Sequence, residues 1–124
     1  MSVSGKKLKA FIPTTNFVAA KEFYGNTLGL TLLSADDFGL EFLAGEANLR
    51  ITLVKEFNPH PFTVLGWETD DIVSTVQELK KKGVIFMMIG DPAQDNKGIW
   101  TAPGGTKVAW FRDPDGNVLS VSGE

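Results

Sequence analysis

The chain of 124 residues contains no cysteine, which excludes disulfide bonds and thiolate metal ligands. It contains one histidine, His60. A metal centre with several imidazole ligands is therefore excluded, and a catalytic triad could be built only around this residue. The first residues, MSVSGKKLKAFIP, lack the continuous apolar segment of a signal peptide or a membrane span. We therefore expect a soluble protein of the cytoplasm, with no membrane partner.

A basic surface is missing as well. Lysine and arginine total 12 against 15 aspartate and glutamate residues, and the formal net charge is −3. The lysines are scattered, apart from the short run Lys80-Lys81-Lys82. Because binding to nucleic acid depends on cationic side chains that neutralise phosphates, a nucleic-acid partner is not expected.

Two segments of the chain follow the same order of elements. KLKAFIP reads as a strand, TTNFVAAKEFYGNTLG as a helix capped by Thr15 or Asn16, and LTLLSA, GLEFLA and NLRITLV as strands. After KEFNPHP the order repeats with FTVLGWET, the acid-capped helix of DDIVSTVQELKKKG, and the strands VIFMMI, TKVAWFR and NVLSVS. Residues 91–105, rich in glycine and proline, are expected to form a lid or rim loop.

This repetition predicts an internal duplication. Shifting the chain by 56 positions places Phe11 on Trp67 and Ala20 on Val76. The predicted fold class is α+β, with two βαβββ repeats forming curved mixed sheets around a cleft. A single domain over 1–124 is expected, with repeat one at about 7–56 and repeat two at about 62–123.

Strand alternation selects candidate site residues, because each helix covers one face of its sheet and leaves the other open. Trp110 and Phe111 are adjacent, so only one of them can lie on the open face, and the sequence does not say which. The predicted ligand-binding residues are Lys9, Phe11, Arg50, Thr52, Glu68, Trp100, Trp110 and Ser120.

Several of these residues have two interpretations. Lys9 and Arg50 can hold an anionic group of a ligand, or they can pair with Glu68. Glu68 and His60 are the candidates for acid–base catalysis, although either can also be a solvated side chain. The Ser120 hydroxyl can orient a polar ligand, or it can bond neighbouring backbone or water.

Two motifs carry a resemblance to a known family. AAKEFYGNTLGLTLL near the start and WFRDPDGNVLSVS at the end resemble the vicinal oxygen chelate superfamily, which includes glyoxalase I, extradiol dioxygenases and bleomycin-resistance proteins. The resemblance runs from Lys9 to Val121. It implies a homodimer and metal ligands at four inward strand positions, here Lys9, Val64, Ser120 and either Arg50 or Thr52. None of these side chains is a good ligand for a divalent metal.

The sequence therefore predicts a small-molecule-binding protein of this superfamily that is independent of metal and has no cofactor. The ligand would be a small organic molecule, anionic or aromatic, held in an apolar and aromatic cleft. The alternatives are a metal-dependent glyoxalase-like lyase or dioxygenase, and a metal-free enzyme that uses Glu68 or His60. Whether the protein is an enzyme, which ligand it takes, and whether the repeats pair within one chain or across a dimer stay open.

Overall fold

A computed structural model describes residues 2–90 and 93–124. The chain divides into two compact units, Met1–Asn58 and Pro59–Glu124. The boundary falls in the predicted connector KEFNPHP. Each unit has its own four-stranded mixed sheet.

The first unit has the order βαβββ. Its elements are β1 (Lys9–Thr14), α1 (Phe17–Glu22) with a π-helical continuation (Phe23–Thr27), β2 (Thr31–Ala35), β3 (Gly39–Ala44) and β4 (Ala47–Leu53). The strands lie in the order β1-β4-β3-β2, with β1 parallel to β4 and the other pairs antiparallel. Leu33 is the extra residue of a bulge in β2, between Leu32 and Ser34.

The second unit repeats this order. Its elements are β5 (Thr63–Thr69), α2 (Ile72–Lys81), β6 (Trp100–Thr101), β7 (Lys107–Arg112) and β8 (Val118–Gly123). The strand order β5-β8-β7-β6, with β5 parallel to β8, matches that of the first unit. The predicted α+β fold of two βαβββ repeats is confirmed. Across residues 2–90 and 93–124, no helix is long and apolar enough to cross a bilayer.

Both main helices begin at the same local motif. The side chain of Asn16 accepts a hydrogen bond from the backbone N–H of Ala19, and Asp71 accepts one from Ser74, each at 3.1 Å. Two residues before each cap, Thr14 and Thr69 accept a hydrogen bond from the N–H of the capping residue. These equivalent residues are 55 positions apart, so the predicted shift of 56 was wrong by one residue at the helix starts.

The predicted strand VIFMMI was also wrong in extent. Only Phe86 forms an isolated bridge, to Phe111 of β7, and the N–H of Met87 donates to the carbonyl of Trp110. The edge strand next to β7 is instead β6, which lies inside the segment 91–105 that was predicted as a loop. The reason is that the edge of β7 is shared: residues 86–87 pair near one end, and Trp100–Thr101 pair near the other.

Each sheet buries one face under its helix. In the first unit this face includes Ile12, Phe42, Leu49 and Ile51, which are at most 2% exposed. In the second unit the matching face buries Ala109, Phe111, Leu119 and Val121. Since side chains alternate along a strand, the neighbours of these residues define an open face on each sheet.

The DPDGN turn joins β7 to β8. One carboxylate oxygen of Asp113 accepts hydrogen bonds from the N–H groups of Asp115 and Asn117, as an Asx-type turn does. Gly116 has φ of +88°, and a Cβ atom there would lie 2.9 Å from Cγ of Pro59. The motif is thus explained by the local geometry of the turn.

Candidate functional site

The open face of the first sheet carries ion pairs. Nζ of Lys9 lies 3.1 Å from Oε1 of Glu41, and Nη2 of Arg50 lies 3.1 Å from Oδ2 of Asp36. Glu41 also accepts a hydrogen bond from the amide of Asn48 at 2.7 Å. Both predicted cations of this face are therefore neutralised by acids of the same unit.

The partners differ from the prediction. Glu68 was the predicted acid for Lys9 or Arg50, whereas the structure pairs Lys9 with Glu41 and Arg50 with Asp36. The side-chain hydrogen bond from Lys9, followed by that from Asn48, lowers the pKa of Glu41. The N–H of Phe38, followed by Arg50, lowers the pKa of Asp36. An anionic ligand on this face would have to compete with two carboxylates that stay charged at neutral pH.

Two more predicted residues lie on the same face. The Phe11 side chain is 64% exposed, and Nζ of Lys9 lies 6.0 Å from the centre of its ring. Thr52 follows Arg50 by two positions on β4 and is half-buried. This face has one exposed aromatic ring, that of Phe11. Both of its predicted cations, Lys9 and Arg50, are already paired with carboxylates.

The open face of the second sheet is aromatic. Phe111 is fully buried on the helix side, which settles that Trp110 is on the open face. The indoles of Trp110 and Trp100 are stacked, with ring centroids 6.0 Å apart and an interplanar angle of 28°. Both side chains are partly exposed, so the structure brings two of the predicted ligand-binding residues together as a pair.

A hydroxyl lies in the same sheet row as Trp110. Ser120 of β8 is paired with Trp110 of β7 on one side and with Gly66 of β5 on the other. A Cβ atom at Gly66 would lie 2.5 Å from Oγ of Ser120. Glycine at position 66 therefore leaves room for the hydroxyl beside the indoles. Within the described ranges, Oγ of Ser120 has no hydrogen-bond partner.

The two candidates for acid–base catalysis differ in their surroundings. Glu68 of β5 is exposed and lies opposite Ser122 of β8. In the described part of the chain its carboxylate has no ion-pair partner. His60 is exposed and stacks on Phe62, with ring centroids 5.1 Å apart. Among residues 2–90 and 93–124, no second group holds either side chain in the manner of a catalytic base.

The residues at the four metal-ligand positions that the family resemblance implies do not suit a divalent metal. In the first unit, one expected position holds Lys9, which is engaged with a carboxylate. The other holds either Arg50, which is also engaged with a carboxylate, or Thr52, a weak hydroxyl ligand. In the second unit, they hold Val64, which has no donor atom, and Ser120, a weak hydroxyl ligand. In residues 2–90 and 93–124 no three His, Cys, Asp or Glu side chains are grouped to hold a metal ion.

Sequence reasoning missed three residues that shape the two faces. Glu41 and Asp36 were not selected because their pairing with Lys9 and Arg50 depends on the spatial order of the strands. Gly66 was not among the predicted site residues. A glycine inside a strand is a usable signal, since it often marks a close approach of other atoms.

The fold and the paired motifs agree with comparisons to known proteins. Residues 8–121 match the Glyoxalase/Bleomycin resistance protein/Dioxygenase superfamily. The match covers most of the chain, and the chain belongs to this superfamily, as its two motifs predicted. No curated protein matches the sequence significantly.

Solved structures show the same architecture. The glyoxalase family protein from Enterococcus faecalis is 20% identical, with a TM-score of 0.78 over 98% of this chain and 99% of that chain. A member of the superfamily from Sphaerobacter thermophilus is 21% identical, with a TM-score of 0.74 over 99% and 100%. A further one from Alicyclobacillus acidocaldarius is 18% identical, with a TM-score of 0.72 over 95% and 90%. At these identities the likeness shows the fold alone.

Proposed function

We propose that the protein binds a flat organic molecule without a protein-bound metal. The binding surface is the open face of the second sheet that carries Trp100, Trp110 and Ser120, called here the indole face. The stacked pair of Trp100 and Trp110 is the observation that supports this function. Stacked aromatic walls bury a large apolar area of a planar ligand, and they do so with little loss of side-chain freedom.

Polar groups beside the indoles supply the orientation of the ligand. Ser120 offers one hydroxyl that can donate or accept, and Gly66 keeps the space above it open. Glu68 adds a carboxylate at the end of the neighbouring row, opposite Ser122. These groups favour an aromatic ligand with a polar substituent over the anionic ligand that Lys9 and Arg50 suggested.

Binding without turnover is the function that the side chains support best. An enzyme of this fold needs a metal or a positioned base, and the chemistry of Lys9, Arg50, Val64 and Ser120 favours neither. The location in the cytoplasm and the homodimer stay predictions from the sequence and from the family.

The test is a fluorescence titration of the purified protein with a panel of planar heteroaromatic compounds. A ligand on the indole face should quench tryptophan emission, with a dissociation constant unchanged by a chelator. Trp110→Ala should weaken binding by about tenfold or more, from the loss of roughly 1.5 kcal/mol of stacking, while Trp110→Phe keeps most of the affinity. Phe38→Ala, which removes a ring that is 74% exposed in the first unit, is the matched control and should leave binding unchanged.

Two results would contradict the proposal. One is a panel that produces no saturable quenching. The other is binding that Trp110→Ala leaves intact or that the chelator abolishes, since the latter would return the protein to the metal-dependent class.

A further inference from the structure

The strand that carries Trp100 is too short to hold it alone. β6 consists of Trp100 and Thr101, which pair with Val108 and Lys107 of β7. This ladder is shorter than an ordinary strand, and it fixes the backbone only at the indole and on its C-terminal side. The residues before Trp100 therefore decide where this wall of the indole face lies.

Two residues, Gln94 and Asp95, take the place of a ladder in front of Trp100. The carbonyl of Gly98 accepts a hydrogen bond from Nε2 of Gln94 at 2.7 Å, and its N–H donates to the carbonyl of Asp95 at 3.1 Å. The N–H of Ile99 donates to Oδ1 of Asp95, and its carbonyl accepts the N–H of Asp95, both at 2.9 Å. Gln94 and Asp95 thus bond all four backbone polar groups of the two residues that precede the indole.

The Gln94 amide also reaches the strand of the second indole. A further hydrogen bond from Nε2 goes to the carbonyl of Met87 at 2.9 Å, and Oε1 accepts the N–H of Ile89. The N–H of Met87 in turn donates to the carbonyl of Trp110 at 2.8 Å. One run of hydrogen bonds through the Gln94 amide therefore connects the backbone of Trp110 to the segment before Trp100.

A glutamine suits this position because of its donors. Its amide nitrogen donates to two carbonyls and its oxygen accepts from the backbone, so every hydrogen-bonding group of the amide is used. Glutamate has no donor at neutral pH, and it would place a negative charge against the two carbonyl oxygens. The N–H of Ile99 is the largest cause that lowers the pKa of Asp95, so the neighbouring carboxylate stays charged and keeps its hydrogen bonds.

The equivalent edge of the first sheet is built by a strand. There β2, Thr31–Ala35, pairs along β3. In the second unit, which carries the indoles, hydrogen bonds from Gln94 stand where the first unit uses that strand. We propose that Gln94 is a positioning residue of the indole face: its amide holds Trp100 stacked on Trp110, and through this stack it sets the affinity for a planar ligand. The effect on affinity rests on the proposed function, whereas the effect on the indole pair does not require a ligand.

Circular dichroism in the far ultraviolet detects the indole pair directly, because two stacked indoles give an exciton couplet. The wild type should show the couplet, Trp110→Phe should remove it, and Trp67→Phe should not. Gln94→Glu should remove most of it. Gln77→Glu is the matched control, because it makes the same exchange at an exposed position of α2, and it should keep the couplet.

A pH profile distinguishes lost hydrogen bonds from general damage to the fold. The carboxylate that Gln94→Glu introduces faces two carbonyls, which raises its pKa. Once protonated it regains one donor, so the couplet of this variant should partly return as pH falls from about 8 to about 5. Gln94→Met has a side chain of similar length without donors, and it should lack the couplet throughout. Cooperative urea unfolding checks that each variant folds, and Gln94→Met replaces Gln94→Glu if that protein does not.

Fluorescence titration with the planar compounds measures the effect on binding. The dissociation constant should rise about tenfold in Gln94→Glu. In a Trp100→Ala background the same exchange should have no further effect, because Gln94 acts through that indole. A folded Gln94→Glu protein that keeps the couplet, or that binds as tightly as the wild type, overturns the inference. If Gln94→Glu loses the couplet and no compound binds even the wild type, the positioning of the indoles stands and the proposed function fails.

Discussion

Replacing Gly66 by alanine tests the position of the Ser120 hydroxyl on the indole face. The added Cβ atom would lie 2.5 Å from Oγ of Ser120, 3.4 Å from its carbonyl oxygen and 3.8 Å from its Cβ. Only the first distance is shorter than van der Waals contact. The methyl group therefore displaces the hydroxyl, while the backbone of β8 and the Cβ atom of Ser120 can stay in place.

Two opposing effects set the magnitude. Forcing Ser120 off its preferred rotamer costs about 0.5–1.5 kcal/mol. Alanine in place of glycine inside a strand gains roughly 0.5–1 kcal/mol, because the unfolded chain loses less freedom on folding. The single variant is therefore expected to be near neutral. In a Ser120→Ala background only the gain is left, so the two positions should be coupled by about 0.5–1.5 kcal/mol.

Urea denaturation of the four proteins of this double-mutant cycle, followed by tryptophan fluorescence, measures the coupling. Gly104→Ala is the matched control, because a Cβ atom at Gly104 meets nothing within 4 Å. It should show no coupling to Ser120. Ligand affinity should fall about fivefold in Gly66→Ala, the equivalent of one hydrogen bond of about 1 kcal/mol. If Gly66→Ala changes stability equally in both backgrounds, the hydroxyl is not where this reasoning places it.

Three further changes test the ion pairs of the first unit and the helix cap and turn of the second. Because the pKa values of Glu41 and Asp36 are lowered in the folded protein, the stability they contribute is present above about pH 4.3 and is lost as pH falls through the folded values. Urea melts from pH 3 to 6 should show stability rising with pH, and Glu41→Gln should reduce that slope; an unchanged slope would argue against the ion pairs. Asp71→Ala should destabilise by about 1 kcal/mol through loss of the helix cap, and Asp71→Asn should not, as thermal melts can show. Gly116→Ala should cost at least about 1 kcal/mol, since φ is +88° and Cγ of Pro59 would be 2.9 Å away; a neutral result in the same melts would exclude that turn geometry.

Features fixed by neighbouring residues were predictable from the sequence. The caps at Asn16 and Asp71 and the turn around Asp113 follow from side chains that bond backbone two to four residues away. The order βαβββ, twice, follows from apolar periodicity. Strand alternation selected Ser120 and one of Trp110 and Phe111 for the open face, and the structure pairs Ser120 with Trp110 in one sheet row.

Features that depend on strand order were not predictable. Lys9 meets Glu41, 32 positions later, because β4 lies between β1 and β3 and brings both side chains to one face. Residues 84–89 have the composition of a strand, yet Gln94 bonds the backbone of Met87 and Ile89 in place of a neighbouring strand. The Gln94 side chain and a neighbouring strand compete for the same backbone hydrogen-bonding groups. Tertiary contacts decide which of them binds, and the apolar periodicity of the sequence does not report those contacts.

The matched threonines before the two helices mark equivalent positions in the two units. Each fixes the start of a helix through the capping residue that follows, and counting back five positions from Thr14 and Thr69 reaches Lys9 and Val64. Those are the first-strand places where the family resemblance puts metal donors. Counting back from the helix starts therefore locates these two places from the residues alone, and here they hold a lysine and a valine, neither of which offers the imidazole or carboxylate that a divalent metal needs.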